Sequence, residues 1–265
     1  MWLLYIHKLP TSLTMKKLLL GLTLFATFTS AIAAPRSYAI LSLAGDTIST
    51  MTFVPETGSK INQSDKQTYE LKNTVFDEAA IRAASAAVKK IEPDAAPFLM
   101  LTLDADLYKA QNAMFDDPAA NQANRDYLKT LWKDHPVTHL ILVTKFRTDA
   151  EVKYMDATEG SGKIEGLGFY MDNRANVTTF GKAQNYSSKG ILMPYAYVKL
   201  RLIDASTLQV VREVTQKQSQ IVTYKPDADR AVRTWDALTP KQKTDYLDGL
   251  VRAAVAEAMP KLLAD

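Results

Sequence analysis

Two nearly continuous apolar runs in the middle of the chain constrain its fold most. Phe98–Leu103 and His139–Thr144 hold apolar side chains at successive positions, as strands do when helices cover both faces of a sheet. A helical pattern precedes each run. The first helix spans Thr74–Ile91, with Asp77 placed as the partner of its first residue in a capping box, and the second starts at Asp117–Pro118. Helices that alternate with strands predict a sheet with helical layers.

The second half of the chain contains strands that alternate polar and apolar residues. Four such strands are predicted, at 152–154, 163–170, 195–203 and 207–224. The last two form an antiparallel hairpin whose turn is Asp204–Thr207. A closing helix follows, with Thr239 as N-cap, Pro240 in the first turn and Gln242 at the capping-box position. Pro260 is expected to kink this helix or end it early.

An N-terminal hairpin completes the predicted sheet. Ser37–Leu43 and Thr47–Val54 are rich in strand-forming residues, and Gly45–Asp46 between them has the composition of a tight turn. Together these elements predict an α/β (α+β mixed) fold. It consists of one mixed β-sheet of about six or seven strands with three main helices, a long C-terminal antiparallel hairpin and a closing helix.

The first residues have the composition of a secretory leader. After Met15, two lysines precede the apolar run Leu18–Phe28, and the small residues Ala31–Ala33 form a cleavage motif. The competing interpretation is a membrane anchor, but the run is shorter than the roughly 20 apolar residues of a spanning helix. We therefore predict a signal peptide over 1–33, with translation starting at Met15, and a single globular α/β domain over 34–265. The expected location is the periplasm or the medium.

Charge and cysteine content exclude several classes of function. The whole chain carries 32 basic and 29 acidic residues, and the three lysines of the leader account for the difference. A balanced mature chain has no basic face for nucleic acid or for an anionic membrane. The absence of cysteine excludes thiol catalysis, iron–sulfur clusters and a lipidated N-terminal cysteine. No cofactor is predicted, and the domain is long enough to bury a core without disulfides.

The mature sequence contains two histidines, His135 and His139, at the i, i+4 spacing that binds metals on a helix. Pro136 lies between them and ends a helix there, so the two rings are not expected on one helical face. The chain offers no cysteine and no third mature histidine as a further ligand. We therefore predict no metal site, with His135 at a helix terminus and His139 at the start of a strand.

Acidic side chains follow the first apolar run, at the position where open α/β sheets bind ligands. The four acids are Asp104, Asp106, Asp116 and Asp117. Solvated acids at the end of a strand are the simpler interpretation. If the first two acids meet His135 or His139 in one pocket, the protein is a periplasmic hydrolase, which is the alternative to a noncatalytic function.

The segment Leu43–Thr47 resembles the Gly-Asp-Ser block that opens the SGNH esterases, enzymes whose serine nucleophile follows the first strand. The resemblance covers five residues, Thr47 stands where the family has serine, and no Asp-x-x-His follows late in the chain. It therefore implies a nucleophile without its base. Glu159–Ile164 similarly lacks the first glycine and the Ser/Thr of a phosphate-binding loop and leads into a strand, so we interpret it as a glycine-containing loop.

The segment 172–194 is predicted to be a long loop and is the favoured binding region. Loops of this length are uncommon without a use, and aromatic and amide side chains supply contact area and adaptable hydrogen bonds in binding surfaces. The candidate binding residues are Asn173, Phe180, Asn185, Tyr186 and Lys189. The sequence thus predicts an exported, noncatalytic binding or assembly protein whose partner is another envelope protein or a small ligand.

Overall fold

A computed structural model describes residues 36–53, 64–154, 157–159, 162–179, 186–222 and 234–264. These residues belong to one unit of the chain, 36–265. The predicted signal peptide over 1–33 lies outside the described residues. Within the described ranges, no helix has both the length and the apolar content that crossing a bilayer requires.

Eleven strands and five α-helices make up the described part of the chain. The strands are β1 Tyr38–Ser42, β2 Thr47–Phe53, β3 Ser64–Glu70, β4 Phe98–Met100, β5 His139–Lys145, β6 Arg147–Asp149, β7 Val152–Tyr154, β8 Ala157–Glu159, β9 Lys163–Thr179, β10 Tyr186–Asp204 and β11 Val210–Ser219. The helices are α1 Val75–Ile91, α2 Ala105–Ala110, α3 Ala113–Asp116, α4 Gln122–Thr130 and α5 Pro240–Leu262, with a 3₁₀ turn at Thr234–Ala237.

The long strand β10 organises the main sheet. The sheet follows the order β3-β2-β9-β10-β5-β1-β4, with β11 also paired to β10 and β6 to β9. On one side of β10, residues 195–203 pair with β11. On its other side, β9 pairs as far as Tyr197 and β5 pairs from Val198 onward. The sheet therefore divides into two wings: the parallel wing, β5-β1-β4, and the hairpin wing, β9-β2-β3.

Helices cover both faces of the parallel wing, which explains why β1 and β5 are apolar at successive positions. Tyr38 and Ile40 of β1 pack with α1 and α5, whereas Ala39 and Leu41 pack with α2, α3 and α4. The predicted buried strand at 138–146 is confirmed as β5.

The apolar run Phe98–Leu103 is a strand only as far as Met100. β1 ends at Ser42, and the last aligned pair between the two strands is Leu41 with Met100. Beyond this pair the chain leaves the sheet, and Leu101 and Leu103 are 51% and 65% exposed.

The helix predictions are confirmed in part. α5 has the predicted capping box at Thr239 and Gln242, but it continues through Pro260 to Leu262 because the proline lies in the final turn, where few backbone bonds remain to be broken. The second predicted helix begins later than expected. Asn121 is the N-cap of α4, and Asp117–Pro118 lies in the turn before it.

β1 and β2 do not form the predicted N-terminal hairpin. β1 pairs with β4 and β5, while β2 pairs with β3 and β9. Gly45–Asp46 instead carries the chain from the parallel wing to the hairpin wing. The predicted class is nevertheless confirmed: the fold is a mixed α/β structure with the C-terminal hairpin β10–β11 and the closing helix α5.

The segment 172–194 is strand, not loop, wherever it is described. β9 continues to Thr179, and β10 begins at Tyr186 opposite it. The register shifts between Lys189 and Ile191, around Gly190 with a φ of 95°, a conformation that favours glycine. The sequence prediction failed because cross-strand pairing outweighs the turn-forming tendency of Asn, Ser and Gly side chains. Residues 180–185 lie outside the described ranges.

Candidate functional site

A cleft of about 770 Å³ lies at the carboxyl ends of β1 and β5. The connection that leaves β1 passes through β2 and β3 to α1 on one face of the parallel wing, whereas β4 leads to α2 on the opposite face. Where neighbouring strands send their connections to opposite faces, a crevice forms in which α/β proteins bind ligands. The topology therefore identifies this cleft as the candidate site.

Asp77, in the first turn of α1, holds the loop beneath the cleft. Its side chain is buried, and its Oδ1 accepts hydrogen bonds from Ser42 Oγ at 2.5 Å and from the N–H groups of Ala44 and Gly45 at 3.0 Å each. Its Oδ2 accepts a hydrogen bond from the Tyr108 hydroxyl at 2.7 Å. Asp77 therefore does not act as the predicted capping-box partner, because its side chain turns inward to bind the loop after β1.

The protonation states of Asp77 and Tyr108 follow from burial and from each other. Burial raises the pKa of the Asp77 carboxyl, while the hydrogen bonds from two hydroxyls and two N–H groups oppose that rise. Burial and the neighbouring Asp77 charge raise the pKa of the Tyr108 hydroxyl, which keeps it protonated as a donor. Tyr108 is thus held as a hydrogen-bond donor to Asp77, and it also lines the cleft.

Gly45 lies where no side chain fits. A Cβ atom at this position would lie 2.6 Å from Asp77 Oδ2 and 2.9 Å from Asp77 Cγ. Close approach to Asp77, and not a hairpin turn, therefore requires the glycine. Thr47, compared above with the esterase serine, accepts a hydrogen bond from Lys145 Nζ at 2.6 Å, and none of the described cleft residues is a histidine that could serve as its base.

Two consecutive amide side chains form the floor of the cleft. β5 runs beyond the end of β1, so the outward-facing N–H and C=O groups of Lys145 have no strand partner. Gln111 Oε1 accepts the Lys145 N–H at 2.7 Å, and Asn112 Nδ2 donates to the Lys145 carbonyl at 2.9 Å. The two side chains replace a missing strand and satisfy peptide groups that would otherwise be left unpaired.

The Lys145 side chain joins the two wings at the cleft. Its ammonium group forms an ion pair with Asp46 and also donates to Thr47, and the side chain is only 12% exposed. Its stem packs against Gly166 of β9, where φ is 64° and a Cβ atom would lie 2.9 Å from Lys145 Cγ. A partnered and largely buried charge of this kind fixes the loop after β1.

The walls of the cleft carry charges of both signs. Lys66 and Lys109 are exposed, as is Glu70, while Glu165 is half-buried. Within the described ranges, none of these four side chains forms an ion pair. Two ammonium groups and two carboxylates therefore remain available above a floor whose polar groups are already bonded.

A buried arginine lies behind the floor. Arg201 is 1% exposed, its Nε donates to Glu213 at 2.8 Å, and its Nη1 donates to Asn112 Oδ1 at 2.9 Å. The guanidinium carbon lies 5.1 Å from the ring centroid of Phe115, and Nη2 is 3.6 Å from Asp116 Oδ1. Asp116 thus belongs to this arginine cluster, which supports Asn112 from below.

The two histidines lie at the amino end of the parallel wing, opposite the cleft. The His135 ring stacks on Phe98 with centroids 3.7 Å apart, and His139 Nδ1 lies 2.8 Å from Thr138 Oγ1. They share no helix, as expected from the intervening proline. In the part of the chain that the structure describes, no three potential metal-ligating side chains cluster.

The acids of the hydrolase hypothesis do not meet these histidines. Asp104 is the N-cap of α2, where it accepts the Leu107 N–H at 2.9 Å, and Asp106 is exposed on the first turn. Both follow the carboxyl end of β4, whereas His139 begins β5. Because β4, β1 and β5 are parallel, the acids and the histidines lie at opposite ends of the wing and do not form the common pocket that the hydrolase alternative requires. The fourth acid, Asp117, was predicted to cap the second helix, but it is exposed and its Oδ1 accepts the Ala120 N–H at 3.3 Å in the turn before α4.

The candidate binding residues of the segment 172–194 lie on or beside the β9–β10 hairpin. Asn173 is an exposed residue of β9, and Tyr186 and Lys189 belong to β10. Phe180 and Asn185 lie outside the described residues. Asn173 does not line the cleft, so the structure does not bring it together with the residues described above.

Fold and site together define a mixed α/β protein with a polar cleft at the carboxyl ends of parallel strands. No family model and no curated protein matches the chain. The solved structures that are weakly similar include a PelC dodecamer from Paraburkholderia phytofirmans, protein XCC0632 from Xanthomonas campestris and lipoprotein GNA1162 from Neisseria meningitidis.

The PelC match has 10% identity, covers 87% of this chain and 90% of the other, and has a TM-score of 0.30. The XCC0632 match has 8% identity, coverages of 86% and 83% and a TM-score of 0.37. The GNA1162 match has 8% identity, coverages of 86% and 99% and a TM-score of 0.30. Likenesses this weak assign neither a family nor a function to the chain.

Sequence reasoning missed the residues that build the cleft. Gln111, Asn112 and Lys145 are ordinary residue types for a loop and the end of a strand, and nothing in their spacing indicates a site. The position of Asp77 in the sequence did indicate a special role. It lies between Phe76 and the alanine stripe of an amphipathic helix, where a carboxylate needs buried donors.

Proposed function

We propose that this chain is an exported, noncatalytic accessory protein that binds a small zwitterionic ligand, such as a short peptide with free termini, in the cleft. The observation that carries the proposal is that the cleft walls present two lysines and two glutamates that form no ion pair within the described ranges. Lys66 and Lys109 can bind a carboxylate, and Glu70 and Glu165 can bind an ammonium group. A volume of about 770 Å³ is in the range of pockets that hold small molecules.

The hydrogen bonds and ion pairs in and beneath the floor of the cleft support binding over catalysis. The Asp77 carboxylate accepts four hydrogen bonds, and Lys145 is paired with Asp46. Thr47 accepts a hydrogen bond from Lys145, and Tyr108, which lines the cleft, donates to an Asp77 carboxylate that already accepts three other hydrogen bonds. Groups locked in this way position a ligand but do not exchange protons with it.

The leader supports the proposed location. Two lysines, the apolar run Leu18–Phe28 and the motif Ala31–Ala33 follow one another in the order that a secretory signal requires. Export to the periplasm or the medium would make small ligands or other envelope proteins the available partners. Intact-mass measurement of the protein recovered from its host tests this part, since a chain that keeps residues 18–28 contradicts it.

Calorimetric titration with trialanine tests the ligand class. We expect binding, and we expect at least tenfold weaker binding of acetyl-trialanine-amide, whose termini are blocked, because each charged hydrogen bond contributes roughly 1.5–3 kcal/mol. Lys109→Gln and Glu165→Gln should each weaken the binding of trialanine by about tenfold. Equal affinity for the free and the blocked peptide, or no binding of either, contradicts the proposal.

Two control variants keep the test specific. Lys133→Gln removes an exposed lysine that does not line the cleft, and Asn173→Ala changes the exposed residue of β9. Both variants should bind trialanine like the parent protein. If Asn173→Ala weakens binding while Lys109→Gln does not, recognition belongs to the β9–β10 hairpin and the cleft is not the site.

A further inference from the structure

A second pocket, the apolar pocket, lies between the start of α1 and the start of α5. It encloses about 440 Å³. Most of its wall is hydrophobic, and the apolar lining residues include Ile48, Leu71, Phe76, Phe169, Trp235 and Leu247. Leu71 and Asn73 line both this pocket and the cleft, so a short stretch of chain separates the two.

Aromatic rings shape the apolar pocket. The rings of Phe169 and Trp235 meet edge to face, with centroids 5.3 Å apart and planes at 89°. Phe169 and Phe76 are buried, whereas Trp235 is half-buried and presents part of its indole to the pocket. Covering apolar surface of this kind with a hydrocarbon chain lowers the free energy.

Lys243 supplies the single cation of the described lining. Its ammonium group lies 3.6 Å from the Trp235 ring centroid, and within the described ranges it has no ion-pair partner. Partial burial lowers its pKa, although the nearby Asp236 charge opposes that shift. The capping box of α5 occupies the Gln242 N–H, so the lysine, and not the helix end, offers the positive group to a ligand.

We propose that the apolar pocket binds a single-chain anionic amphiphile, with its hydrocarbon tail against Phe169 and Trp235 and its carboxylate on Lys243. The chemistry of the lining selects this class: the apolar walls exclude sugars and free phosphates, and the lone cation favours an anion over a neutral lipid. The ligand enters as a free molecule from solution. This site is separate from the cleft and does not depend on its proposed ligand.

Trp235 provides a direct reporter of occupancy. The chain has three tryptophans, so Trp2→Phe/Trp132→Phe leaves Trp235 as the sole tryptophan, whose emission can be excited selectively over that of the tyrosines. We expect dodecanoate, titrated below its micellar concentration, to shift Trp235 emission to shorter wavelength. Affinity should rise by up to about fourfold per methylene from octanoate to dodecanoate. Isothermal calorimetry on the parent protein gives the same affinities without the substitutions.

The charge of Lys243 is tested with a matched pair of variants. Lys243→Met should lower the affinity for dodecanoate by about tenfold, and it should change the affinity for dodecanol by less than twofold. Lys241→Met is the control, because that neighbouring lysine is paired with Asp245 and does not line the pocket. The Lys241→Met protein should bind dodecanoate with the same affinity as the parent protein.

Three results overturn the proposal. The first is the absence of binding by both fluorescence and calorimetry. The second is equal binding of dodecanoate and dodecanol by the parent protein, which leaves the lysine without a role. The third is binding to anionic phospholipid vesicles without binding of monomeric dodecanoate, which would identify a membrane-docking surface in place of a pocket for a free amphiphile.

Discussion

The two ends of the parallel wing both carry polar bonds between distant parts of the chain, but they differ in burial. At the amino end, Ser37 and Thr138 exchange hydrogen bonds of 2.9–3.0 Å that are exposed to solvent. At the carboxyl end, Asp77 binds its four donors in the interior. An exposed bond competes with water, whereas a buried group that loses its partner keeps the full cost of desolvation. Similar bonds therefore have different consequences for stability and for the shape of a site.

Removing Asp77 should have the largest effect. Asp77→Ala leaves two N–H groups and two hydroxyls without their acceptor, and we expect it to lower the free energy of unfolding by at least about 3 kcal/mol. Thr138→Ala at the amino end should cost less than about 1 kcal/mol. Urea unfolding of both variants measures the difference. Equal losses would show that burial does not distinguish the two ends.

Adding one carbon beneath the cleft should have an intermediate effect. Gly45→Ala places a Cβ atom 2.6 Å from Asp77 Oδ2, and overpacking of this kind costs roughly 1–3 kcal/mol. Gly249→Ala is the matched control, since a Cβ atom there meets nothing within 4 Å on α5. That variant should gain about 0.5–1 kcal/mol from the lower flexibility of alanine. A Gly45→Ala protein as stable as its parent would mean that the loop is not tightly held.

The smallest expected effect is the pH dependence of stability that arises from His139, at the amino end of the parallel wing. Burial, followed by the charge of Arg36, lowers the pKa of His139. The folded protein thus favours neutral His139, so the unfolded chain takes up the proton first as the pH falls below about 6.5. Stability should decrease with falling pH in this window, and His139→Gln should have a shallower slope. Thermal unfolding between pH 7.5 and 5 compares the two, and parallel curves contradict the expectation.

The parts of the fold that were predictable depend on local pattern. The closing helix was predictable because its capping box and its apolar stripe both lie within 25 residues of sequence. β5 was predictable because a strand covered on both faces is apolar throughout. The separation of β1 and β2 into different wings was not predictable, because Gly45 looks the same in the sequence whether a tight turn or the close approach of Asp77 requires it.

The sequence by itself determined the alternation of helices and buried strands, the C-terminal hairpin and the lack of any cysteine chemistry, since composition and short-range periodicity encode these properties. Only the tertiary structure decided where a site forms. Asp77, Gln111, Asn112 and Lys145 become neighbours because β1 ends before β5 and because the connections after β1 and β4 lie on opposite faces. Which strands pair is decided by contacts between residues far apart in the chain, and no local pattern records that choice.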